Sequence, residues 1–97
     1  EREYALGSRR VDLLVVWPRE GGREDRVVVE CKLAREGRSL SRTVEEGLEQ
    51  TRRYMDLSGT DAGHLVVFDM RPGGSWAEKV YREEREREGA RITVWGA

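Results

Sequence analysis

Three ionisable residues, Asp12, Glu30 and Lys32, stand inside two otherwise apolar runs, VDLLVVWP at 11–18 and VVVECKL at 27–33. Charges inside strands must be paired or bind a metal, because an isolated charge away from water is costly. Two carboxylates converging from adjacent strands make a hard oxygen site suited to Mg²⁺ or Mn²⁺. The backbone carbonyl of Cys31, between Glu30 and Lys32, is a candidate third ligand. Such an ion polarises a phosphoryl oxygen, orients an attacking water and lowers that water's pKa. Lys32 beside it can position the water or neutralise charge on the phosphorus. Together these groups point to phosphodiester hydrolysis.

The elements that position them follow from periodicity. The two runs are β-branched and flank a charged Gly-Gly break, which reads as a hairpin. With the turn centred near Gly22, opposed residues sum to about 44. Asp12 is then expected to face Lys32, with Glu30 diagonal to Asp12. A slip of two residues would change only the spacing, whereas a slip of one would split the trio across both faces. Residues 2–6 (REYAL) read as a short strand ending at a Gly7-Ser8 turn. Arg9 and Arg10 follow at the same end of the sheet as the acids, where they are candidate phosphate contacts.

After a polar loop at 34–42 comes the clearest helix, at about 41–57. Thr43 and Glu46 have capping-box spacing, and Ser39 or Ser41 offers an earlier start. Leu40, Val44, Leu48, Thr51 and Met55 form its core stripe, and Gly59 stops it. A second stripe, Thr43, Gly47, Gln50 and Tyr54, runs beside the first. Gln50 can hydrogen-bond the water, Lys32 or a phosphate. Tyr54 can hold the helix on the sheet or touch a nucleic-acid backbone. The run HLVVFD at 64–69 is an interior strand, parallel to 27–33 through a right-handed crossover. Ser75 and Glu78 start a second expected helix, WAEKVYREERERE at 76–88, whose apolar content fades after Tyr81. RITVW at 91–95 is a last strand. The expected fold is α/β, a mixed sheet in the order β-β-β-α-β-α-β. The hairpin is apolar on both faces apart from the trio, so a second cover is expected, from upstream or from a homodimer partner.

Composition narrows the class. The chain has 97 residues, a net charge of −1 and 38 % charged residues. No overall basic field announces a nucleic-acid partner. Only Lys32 and Lys79 are lysines among 18 basic residues, so a lysine inside a strand stands out. The lone Cys31 makes no internal disulfide. No run has transmembrane length and no signal peptide is visible, which implies no membrane association and a cytoplasmic setting. Residues 1–97 read as a single domain, and a start at Glu1 as a piece excised from a larger protein.

Asp12, then Glu30-Cys31-Lys32 on the neighbouring strand, then Gln50-Thr51-Arg52-Arg53-Tyr54 on the crossover helix, resembles the PD-(D/E)xK nuclease superfamily. The helix segment is similar to the Q-x-x-x-Y motif of its RecB-like branch. The resemblance covers about residues 2–69, with Val11 in place of the nominal proline and no N-terminal core helix. The tail, with Trp76, Glu78, Tyr81 and Thr93-Val94-Trp95-Gly96, resembles nuclease-like domains at the C-terminus of AAA-type ATPases. The resemblance implies a restriction-endonuclease-like fold, Mg²⁺- or Mn²⁺-dependent nuclease activity on DNA, and an upstream ATPase. RNA is a weaker substrate reading. The rival reading is a catalytically inactive module of the same fold that binds nucleic acid or serves assembly beside an ATPase.

Overall fold

The structure, a computed structural model, describes the backbone at residues 2–4, 11–18, 20–22 and 24–97, and side chains at 20–22 and 26–97. The apolar runs form strands β1 (Arg2–Tyr4), β2 (Val11–Pro18) and β3 (Glu24–Ala34). A helix α1 (Leu40–Ser58) leads to β4 (Gly63–Asp69). A short helix α2 (Trp76–Lys79) precedes β5 (Tyr81–Arg87) and β6 (Ala90–Gly96). The strands make one open mixed sheet in the order β1-β2-β3-β4-β6-β5. As the crossover requires, β4 is parallel to β3, and β6 is parallel to β4.

Local chemistry sets the ends of α1. Ser39 is the N-cap, its hydroxyl accepting from the Arg42 N–H at 3.2 Å, so the earlier of the two starts holds. Gly59 closes the helix at φ 70°, a left-handed conformation that suits glycine. The expected stripe is the buried one: Val44, Leu48, Thr51 and Met55 lie on Val28, Leu65, Val67, Ile92 and Val94, with Leu40 at the margin. Each of the larger aliphatic side chains so buried contributes about 1.5–3 kcal/mol.

Two expectations are corrected. The hairpin turns at Gly21 and Gly22, both at φ 79°, so paired residues sum to 42 rather than 44. Asp12 therefore pairs with Glu30, and Lys32 becomes the diagonal neighbour. The trio's positions stay on one side of the sheet, because the slip is of two residues. The second correction concerns 76–88. Its capping box forms, with Ser75 and Glu78 exchanging hydrogen bonds at 2.7 and 3.2 Å, but the helix ends at Lys79. Residues 81–87 instead pair antiparallel with β6. A turn at Glu88 (φ 50°) and Gly89 (φ 82°) joins the two strands. Alternation places Arg85 and Arg87 on one face, where both bond Glu45 of α1 at 2.8 and 2.5 Å. The strand is held to the helix by charge where apolar residues are lacking. The observed order is thus β-β-β-α-β-α-β-β.

Helix α1 covers one face of the sheet. On the other, Val27, Val29, Cys31, Leu33, His64 and Val66 are half-buried, and Phe68 and Trp95 are exposed. Among the described residues no helix is long and apolar enough to cross a membrane.

Gly47 lets α1 settle onto the sheet. A Cβ there would lie 2.6 Å from Leu65 Cδ1 and 3.2 Å from Lys32 Cγ. Gly47→Val should lower stability in urea unfolding by about 1–3 kcal/mol through overpacking. An unchanged midpoint would show that the helix does not sit this closely on Leu65 and the Lys32 stem.

Candidate active site beside the central strand

The site is built on the register of three strands. Glu3 pairs with Asp12, and Asp12 with Glu30, so three acidic positions form one row across β1, β2 and β3. Directly paired positions belong to the same side of a sheet. Glu30 is 0 % exposed, on the side of β3 that α1 covers. Like charges directly opposed in a sheet repel, so such a row calls for a cation close by or a proton on a carboxyl. Lys32 is one such cation. It is half-buried two residues beyond Glu30, its stem against Gly47.

The helix contributes along its second stripe. Thr43 is buried and Gln50, one turn beyond Gly47, is half-buried. The Gln50 Oε1 is out of solvent and has no hydrogen-bond partner among the described residues. A buried acceptor of this kind is normally satisfied by a water or a ligand. Tyr54 packs at the margin of the core, which is the first of its two expected roles. Cys31 lies on the open face between Val11 of β2 and Val66 of β4, so its carbonyl belongs to an interior strand. The side chain of Asp12, and Arg9 and Arg10 altogether, lie outside the described residues. Among the described residues no three of His, Cys, Asp and Glu form a metal-holding group.

Lys32 also lines a groove of about 530 Å³ that sequence reasoning treated only as a polar loop. Arg35, Arg38 and Arg42 line it, as do Glu36, Thr43 and Glu46. The signal available was three arginines in eight residues around Gly37. Glu46, read only as a capping residue, accepts from Arg38 at 2.8 Å and lies 3.6 Å from Arg42 Nε. Glu3 was missed because its relation to Asp12 is a matter of register.

Two other ionisable groups have structural partners. His64 Nδ1 accepts from the Trp95 indole at 3.0 Å, and burial, then the Arg82 charge, lowers its pKa. Asp69, the last residue of the run HLVVFD, ends β4 with both carboxylate oxygens held by the Arg71 guanidinium at 2.8 Å. No family model matches the chain, and no curated protein or solved structure matches it.

The Arg71 hydrogen bonds hold the Asp69 carboxyl well below the usual carboxylate range. A folded pKa below the unfolded value stabilises fully above the unfolded value, about 4, and fades as pH falls below it. Asp69→Asn should therefore lower the melting temperature at neutral pH, with the gap to the parent chain closing in acid. A gap that stays constant down to about pH 2 would contradict the clasp.

Proposed function

We propose that this chain is a metal-dependent nuclease domain of restriction-endonuclease-like fold that hydrolyses phosphodiester bonds of DNA. One observation carries the reading: Asp12 is directly paired with Glu30, and Glu30 is fully buried. A cross-strand ion pair of Asp12 with Lys32 would be a sufficient structural reason for the trio in the expected register. Two acids in that pairing are not self-sufficient, and they favour a cation between them. The β-β-β-α-β order with a parallel β4 also agrees with the core that the motif resemblance implies.

The donor set fits a hard divalent ion, Mg²⁺ or Mn²⁺, with Asp12 and Glu30 as holders and the Cys31 carbonyl as a third donor. When bound, that ion supplies Lewis acidity and a more acidic water. The Lys32 side chain, whose stem lies against Gly47 of the helix, brings an ammonium that neutralises charge developing on the phosphate oxygens in the transition state. Gln50, with its unsatisfied Oε1, accepts a hydrogen bond from the attacking water and aims it. Full burial of Glu30 keeps bulk water away and strengthens these interactions. Arg9 and Arg10, just before β2, remain proposed phosphate contacts.

The test is incubation of the chain with single- and double-stranded DNA in Mg²⁺ or Mn²⁺. Cleavage is expected in the parent chain and in Lys79→Ala, whose ammonium bonds the Arg71 carbonyl away from the site. Lys32→Ala should lose about 10²–10³-fold in rate, the size of one lost transition-state donor. Asp12→Asn should lose cleavage as well. Binding without cleavage in either metal would leave a non-catalytic nucleic-acid-binding module.

A further inference from the structure

The groove beside Lys32 carries a charge arrangement that the trio does not explain. Four cations border it, Lys32 at the end of β3, Arg35 and Arg38 in the loop, and Arg42 in the first turn of α1. Two acids, Glu36 and Glu46, share the lining. Among the described residues no carboxylate pairs with Arg35, and Arg42 reaches Glu46 only at 3.6 Å with its side chain 72 % exposed. The first turn of α1 contains no acid to offset Arg42. Arginines gathered this way repel one another unless an anion joins them.

We propose that this groove is a phosphate track, in which Arg35, Arg38 and Arg42 hold backbone phosphates of the nucleic-acid strand adjoining the one cleaved beside Lys32. The location of the scissile bond rests on the nuclease reading; the track itself rests on the groove. Guanidinium groups suit phosphates because their forked donors meet two oxygens at once. The cations are spread from a strand end through a loop to a helix turn, which suits successive phosphates of a polymer better than one free anion. Glu46 is the competitor in this arrangement. Its 2.8 Å bond to Arg38 is half-exposed on both sides, and an exposed pair of this kind is weak enough for a phosphate to displace. The phosphate takes Arg38, and Glu46 swings toward solvent.

The test is fluorescence anisotropy of a labelled DNA duplex with the whole chain in EDTA, over a salt series. Arg35→Gln and Arg42→Gln should each weaken binding several-fold and reduce the log–log salt slope by about 0.9, one phosphate contact. Glu46→Gln should tighten binding, since it removes the competing carboxylate and frees Arg38. A merely structural role for Glu46 would give no such gain, and thermal melting verifies that each variant is folded. This pattern supports the track whether or not the chain cleaves DNA. Affinity and slope unchanged in the arginine variants would overturn it, even in a chain that cuts. Displacement of the duplex by inorganic phosphate at equal phosphate concentration would also overturn it, as the mark of a free-anion site.

Discussion

The pairing of β2 with β3 sets two acidic positions against each other, one of them a carboxylate with no access to water. An uncompensated charge in that position would cost several kcal/mol, enough to remove much of the stability of a chain this size. A cation close by, or a proton on the carboxyl, must offset it. Lys32 is two residues away on the same side of the strand. Helix α1 comes close enough, through Gly47, to hold its stem. The sheet's interior position for β3, between β2 and β4, prevents the strand from turning the carboxylate out.

The same closeness links packing to chemistry. Leu65, Leu48 and Met55 pull α1 onto the sheet, and the helix face beside that core brings Thr43 to the groove that Lys32 lines, with Gln50 half-buried two turns further on. The core stripe and the candidate site stripe are neighbours on one helix, so a change in one is felt in the other. At the far edge the helix is tied to β5 by Glu45 and Glu49, which bond Arg85 and Arg87. Those contacts are partly exposed and act more through geometry than through strength.

Much of this was legible in the residues. Continuous β-branched apolar runs marked β2, β3 and β4, and the 3.6-residue stripe with Ser39 and Gly59 marked α1. The trio stood out because charges rarely enter such strands. What was not legible depended on relations between distant residues. The Asp12–Glu30 pairing hinged on which glycine of the Gly21-Gly22 turn lies at its centre, a shift that leaves composition and alternation untouched. The strand at 81–87 was hidden because its residues are nearly all Arg and Glu, with no apolar alternation to announce it; ion pairs to α1 and a partner in β6 define it. The groove was hidden because its arginines come from loop and helix, and become a lining only once the chain folds.

The account depends most on one idea, that the Asp12–Glu30 pair holds a divalent cation. Titration of Mn²⁺ into the chain, followed by the electron-paramagnetic-resonance signal of the free ion, tests it without any substrate. The account predicts saturable binding of one ion per chain, competed by Mg²⁺ and weakened strongly in Asp12→Asn. Mn²⁺ that stays free throughout the titration, or binds the variant as well as the parent chain, would contradict it.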